Sequence, residues 1–165
     1  MMDGMMVQGV SQFGCFGMFR NNPDVLGFFS DNEIDFSTWG NRLLDRFLKI
    51  SNKQDPAYIA AAKFMTDKDK SANVSDVTDE LNNEFAGICA EKYYSAIKNA
   101  VKASKDPELL YLGSRLHSLP KYNSYIIKAA GKYCDVISIN YYSKCRLKKA
   151  TWMAGRTRRA VLLSW

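Results

Sequence analysis

Three short polar clusters follow three apolar runs in this sequence: Ser30-Asp31-Asn32-Glu33, Gly113-Ser114-Arg115-Leu116-His117 and Asn140-Tyr141-Tyr142. Together they offer a carboxylic acid, a cation, an imidazole, amides and aromatic faces. Such a set suits a sugar: rings stack on aromatic faces, planar polar groups bind hydroxyls, and a carboxyl group protonates a leaving oxygen. It also suits an acidic metabolite. Glu33 is the candidate acid, and Asn32, Arg115, His117, Asn140 and Tyr141 are the candidate binding residues. Each also has a plainer reading. An acid after a strand is often the N-cap of the next helix, His117 can be an ordinary loop residue, and Arg115 can pair with a neighbouring carboxylate. Tyr141 and Tyr142 alternate across an extended chain, so at most one of them faces inward.

These clusters need elements to position them. Asp24-Val25-Leu26-Gly27-Phe28-Phe29, set between Asn21-Asn22-Pro23 and Ser30-Asp31-Asn32, reads as a strand buried on both faces. Leu109-Leu110-Tyr111-Leu112-Gly113 and Val136-Ile137-Ser138-Ile139 read as two more. Between the first two lie three helical patterns. Leu43, Leu44, Phe47 and Leu48 form one, and Tyr58, Ile59, Ala62 and Met65 after Pro56 form another. The third is long, with Val77, Leu81, Phe85, Ile88, Cys89, Ala96, Ile97, Ala100 and Val101 on one face. Ser75 or Asp76 is expected to cap it, and Pro107 to end it near Ser104. Thr66 to Ser75 reads as a surface loop. A turn at Pro120 leads to a short helix through Ile126, Ile127, Ala129 and Ala130, expected to close at Gly131.

Strands alternating with helices imply parallel pairing through right-handed crossovers, so the class is α/β, with parallel strands and covering helices. Functional residues in such folds collect just beyond the carboxyl ends of the strands, where the three polar clusters fall. Three strands cannot close a (β/α)8 TIM barrel, which takes about 250 residues. The expected fold is therefore an incomplete, partial barrel, with an open three-stranded sheet as the alternative.

The 165 residues are 47% hydrophobic and 24% charged, enough for one buried core. Cys15, Cys89, Cys134 and Cys145 are widely spaced, and His117 is the single histidine, a composition that excludes a structural zinc site. No apolar run is long enough to span a membrane. The Met-rich opening holds Asp3 and four glycines without an early basic residue, so it reads poorly as a signal peptide and the localisation stays open. The formal charge of +6 is concentrated in the tail. Lys144, Arg146, Lys148, Lys149, Arg156, Arg158 and Arg159 face no acid, which leaves residues 1–143 near neutrality. A tail of that kind neutralises phosphates without reading sequence, but no nucleic-acid motif accompanies it, and no nucleic-acid partner is expected. The expected organisation is a poorly defined segment 1–21, a domain 22–143 and a basic tail 144–165.

N-P-D-V-L-G-F-F-S-D-N-E, from Asn22 to Glu33, resembles the fourth strand of clan A glycoside hydrolases of the agarase and β-galactosidase-like group, which ends in an Asn-Glu pair. Tyr94 to Gly113 is similar to that group's approach to strand five, and A-A-G-K-Y-C-D-V-I-S-I-N-Y-Y-S, from Ala129 to Ser143, to strand six. The resemblance covers roughly Asn22 to Ser143.

It implies a retaining β-glycosidase acting on a poly- or oligosaccharide. Glu33 matches the general acid/base and Asn32 the residue that contacts the sugar 2-hydroxyl. The family's nucleophile follows strand seven, and no acidic residue follows Ser143 here. The expectation is thus a chain holding strands four to six, inactive alone, without metal or organic cofactor, because two carboxylates and water carry the chemistry. A parent enzyme of this kind is expected to be periplasmic or secreted. The tail has a matching explanation. Codons for Lys144 to Thr157 can be chosen so that a shifted frame reads M-P-P-E-K-S-Y-M-D-G-W-T-D, similar to the family's continuation, so a frameshift after Ser143 is expected. The alternative is a noncatalytic carbohydrate-binding or interaction module using the same aromatic rim.

Overall fold

The computed structural model describes residues 22–36, 42–103, 109–142 and, as backbone, 161–164. The Met-rich segment 1–21, Cys15, Pro107, Cys145 and the basic residues from Lys144 to Arg159 lie outside the described residues. The elements are β1 (Gly27–Phe28), α1 (Leu43–Leu48), α2 (Pro56–Thr66), α3 (Asp79–Ala103), β2 (Leu110–Tyr111), α4 (Ser124–Tyr133), β3 (Ile137–Asn140) and β4 (Val161–Ser164). Short 3-10 turns at Val74–Asp76 and Leu119–Tyr122 precede α3 and α4.

The strands pair in parallel, as expected from their apolar runs. β1 meets β2 with Gly27 opposite Leu110 and Phe28 opposite Tyr111. β3 meets β4 from Ile137 opposite Val161 to Asn140 opposite Ser164. The chain beyond β2 links the two pairs. Ser30 N–H donates to the Gly113 carbonyl (2.9 Å), then Leu116 N–H donates to Ser138 O (2.8 Å) and Asn140 N–H to Leu116 O (2.9 Å). Part of the segment expected as a basic tail is thus a strand, built on the apolar Val161-Leu162-Leu163.

β1 departs from its expected burial. Leu26 is 71% exposed and Phe29 lies at the surface, because β1 has β2 on one side and no partner on the other among the described residues. β3 is buried throughout.

The helices form the core. Phe85 on α3 meets Phe47 of α1 edge-on and Phe64 of α2 at a ring separation of 5.3 Å. The predicted faces hold in part: Met65 on α2 and Phe85, Ile97 and Val101 on α3 are buried as expected, but Ile59 and Ile88 are exposed, and Ala61, Phe64, Ala86 and Ala90 are buried instead. Small residues explain the shift. Gly87 lies so close to α4 that a Cβ there would sit 2.4 Å from the Tyr125 Cβ, so α3 turns its smallest side to its neighbour rather than its most apolar one.

Capping also differs from the expectation. Thr78, not Ser75 or Asp76, caps α3, its Oγ1 accepting from Leu81 N–H (3.2 Å), because Val74–Asp76 forms its own turn. Gly131 does not end α4, which runs on to Tyr133 with Cys134 N–H donating to Ala130 O. An interior glycine costs about 1 kcal/mol, and the added turn lets Lys132 and Tyr133 both reach Glu91 on α3. Asn123 caps α4 by accepting from Tyr125 and Ile126 N–H, and its amide donates to Asn83 O. No described helix is long and apolar enough to cross a membrane.

Candidate active site

The polar clusters converge beyond the carboxyl ends of β1, β2 and β3. Asn140, buried at the last position of β3, donates from Nδ2 to Glu33 Oε1 (2.7 Å) and lies 3.2 Å from Asn32 Oδ1. Tyr142 O–H donates to the same Glu33 oxygen at 2.5 Å. His117 Nδ1 stands 3.7 Å from Glu33 Oε2, and its ring meets that of Tyr142 edge-on at 5.2 Å. Glu33 is thus held by side chains from two other strand ends.

The backbone sets this arrangement. Glu33 (φ 57°), Arg115 (φ 32°) and Ser118 (φ 52°) all take left-handed conformations that cost energy for side chains with a Cβ. Glu33 N–H donates to Arg115 O (3.3 Å), so the turn after β1 is pinned to the turn after β2. This geometry excludes the helix-cap reading of Glu33, because the next described helix begins at Leu43 with Arg42 at its N-cap position.

A layer of hydroxyls lies below. Tyr93 donates to Ser30 Oγ (2.9 Å), which also bonds the Tyr111 hydroxyl (2.8 Å), and Tyr94 bonds Ser114 Oγ (2.7 Å). Tyr93 and Tyr94, read from the sequence as packing, therefore also tie α3 to the residues that lead into the rim.

The hydrogen bond from Tyr142 is the strongest influence on Glu33, followed by that from Asn140. Both favour the carboxylate and outweigh desolvation, which opposes them; with smaller electrostatic contributions from His117 and Arg115 they hold its pKa below the ordinary value. Among the described residues no group of three or more His, Cys, Asp or Glu side chains is placed to hold a metal.

The structure brings Asn32, His117 and Asn140 onto Glu33. Arg115 makes no side-chain contact with Glu33: its guanidinium sits over the Phe29 ring at 5.0 Å, and among the described residues its buried Nε has no partner and it forms no ion pair, although its charge still reaches Glu33. Tyr141 packs under Lys121, with Nζ 4.8 Å from its ring centre. Sequence reasoning therefore missed Tyr142 and Lys121 as site residues. A signal for Tyr142 was present, because residues two apart in an extended chain share a face and Asn140 was already a candidate. Lys121 carried none, since its position depends on the turn at Leu119–Tyr122.

No protein-family model and no curated protein matches the chain. Eleven chains of known structure do. BpGH50 is 92% identical over 86% of this chain, with a TM-score of 0.79. An agarase, AgWH50C, is 25% identical over 86% of it, with a TM-score of 0.61. An exo-β-agarase is 24% identical over 72% with a TM-score of 0.56, a likeness of fold alone. This chain spans 31%, 21% and 20% of those three, respectively. The resemblance read from D-N-E and from the strand-five and strand-six segments thus holds in three dimensions: the chain is similar to a section, under a third in length, of agarase-like glycoside hydrolases.

Proposed function

We propose that residues 22–143 form part of a (β/α)8 barrel of a retaining β-glycosidase that cleaves an agarose-like poly- or oligosaccharide, with Glu33 as general acid/base. The observation that carries this reading is the grip of Asn140 and Tyr142 on Glu33 beyond the ends of parallel strands. In the first step Glu33 gives its proton to the glycosidic oxygen while a second carboxylate attacks the anomeric carbon and the leaving sugar departs. In the second, the Glu33 carboxylate takes a proton from water, the water oxygen bonds to the anomeric carbon, and the second carboxylate is released. Asn32, beside Glu33, is suited to the 2-hydroxyl.

Glu33 alone cannot complete this cycle. Its neighbours favour the carboxylate, whereas the first step needs the acid form. A second carboxylate about 5 to 5.5 Å away raises the pKa of its neighbour by like-charge repulsion, so the nucleophile also prepares the acid. The preference of Tyr142 and Asn140 for the Glu33 carboxylate favours a second reading, a saccharide-binding module without turnover.

A chimera separates the two. Residues 22–142 replace the matching section of BpGH50, and hydrolysis of agaro-oligosaccharides is assayed. Under the first reading the chimera is active, Glu33→Gln lowers kcat by about 10² to 10⁴, and Glu33→Ala, given azide and an aryl β-glycoside whose leaving group needs no protonation, yields a β-glycosyl azide. Unchanged turnover in Glu33→Gln overturns the acid/base role. Saccharide binding without hydrolysis, equal in the unsubstituted chimera and in Glu33→Gln, establishes the binding module instead.

A further inference from the structure

The segment leaving β2 carries three basic residues, each set against an aromatic ring from around the rim: Arg115 over Phe29, His117 edge-on to Tyr142, and Lys121 over Tyr141 and Tyr122 at 4.8 and 5.2 Å. Two of them serve Glu33 directly. His117 faces its carboxylate, and the Arg115 carbonyl accepts its N–H. Lys121 does neither. Among the described residues it has no ion pair, as is true of several other lysines, but it alone of these stands against Tyr141 of the third polar cluster.

We propose that Lys121 makes the rim selective for a saccharide carrying an anionic substituent, a sulfate ester or a carboxylate, on a sugar bound beside Glu33. This rests on the glycosidase reading above and names its substrate class more closely. A neutral sugar needs only what the rim already has, namely aromatic faces and the amides of Asn32 and Asn140. A partly desolvated ammonium is a further expense that an incoming anion offsets. The two rings hold Lys121 over the rim in advance, so less side-chain freedom is lost when the anion arrives. Lys121 also lies close enough to feel the Glu33 charge, while burial acts against its own. An ammonium is a compact point charge without a planar fork, so it takes either anion.

The test uses the 165-residue chain and three tetrasaccharides of one β-linked galactan backbone: neutral, with one sulfate ester, and with one 6-hydroxymethyl oxidised to a carboxylate. Calorimetry at low and high salt gives the affinities. One or both charged sugars should bind up to about five-fold more tightly than the neutral one at low salt, the range of an exposed ion pair. Which of them does so identifies the anion. Lys121→Gln should abolish the preference and Lys121→Arg keep it. Equal affinity for all three sugars, or a preference that survives Lys121→Gln, overturns the role of Lys121 while leaving the glycosidase reading intact. If none binds, the same sugars are offered to the BpGH50 chimera, where a preference lost in Lys121→Gln supports the role and failure to bind any of them removes both readings.

Discussion

Phe85 and Tyr142 mark two regions of the molecule that are held in different ways. Phe85 is 2% exposed and wedged between aromatic rings of α1 and α2, while Tyr142 is 67% exposed and reaches Glu33 with one hydroxyl. The helical layer is fixed by volume. Its parts are apolar side chains that fill space, so its tolerance is set by how much is removed or added. The rim is fixed by direction, through left-handed residues and single hydrogen bonds that decide where a charge sits. Stability should therefore respond to the layer, and ionisation to the rim.

The sharpest way to break this contrast is Phe85→Ala. It leaves a cavity among Phe47, Phe64 and the neighbouring helices and should cost about 3 to 5 kcal/mol in urea unfolding. The protein that remains folded should titrate Glu33 as before. A loss under about 1 kcal/mol would mean that α1 and α2 are not held by this packing.

Gly87→Ala tests the layer from the opposite side. Alanine raises helix propensity by about 1 kcal/mol, but its Cβ would meet Tyr125 at 2.4 Å. Overpacking costs about 1 to 3 kcal/mol, so net destabilisation is expected in thermal or urea unfolding. A more stable variant would show that α3 and α4 separate freely.

Tyr94→Phe joins the two regions, since Tyr94 is buried in the layer and bonds Ser114, the residue before Arg115. Removing its hydroxyl leaves the Ser114 hydroxyl without that bond and should cost about 1 to 3 kcal/mol by urea unfolding. Wild-type stability would show that the bond contributes nothing.

The same division decided what was legible in the sequence. Apolar runs followed by polar clusters revealed three parallel strands and the convergence of Asn32, Glu33, His117 and Asn140, because strand period and strand ends are local properties. The edge exposure of Leu26 was not legible, since it depends on which strands lie alongside. The exposure of Ile88 on α3 was not legible either, because hydrophobicity ranks isoleucine above Gly87 and Ala90, whereas close helix packing favours the small residues. At the rim, three left-handed non-glycine residues leave no pattern in composition, so the turn that carries Lys121 to Tyr141 could be seen only in three dimensions.

Tyr142→Phe should have the smallest effect on stability and the most specific effect on chemistry. The exposed hydroxyl buries little, so the urea midpoint at neutral pH should stay within the narrow range of an ordinary surface substitution. Its hydrogen bond is the leading cause of the lowered Glu33 pKa, so its loss should move that pKa up toward the ordinary carboxylate value. The sign follows from linkage. A carboxylate with a depressed folded pKa stabilises the native site above its unfolded pKa, and that stability is lost as the pH falls through the folded value. The variant should therefore lose less between neutral and acid pH than the wild type. Carbon-detected NMR titration of the Glu33 carboxyl measures the shift directly. His117→Asn should give a smaller upward shift, since its charge ranks below both hydrogen bonds. If Glu33 titrates unchanged in Tyr142→Phe but moves in His117→Asn, the rim is governed by long-range charge instead of bond direction, and the contrast with the helical layer would have to be drawn from Arg115 and His117.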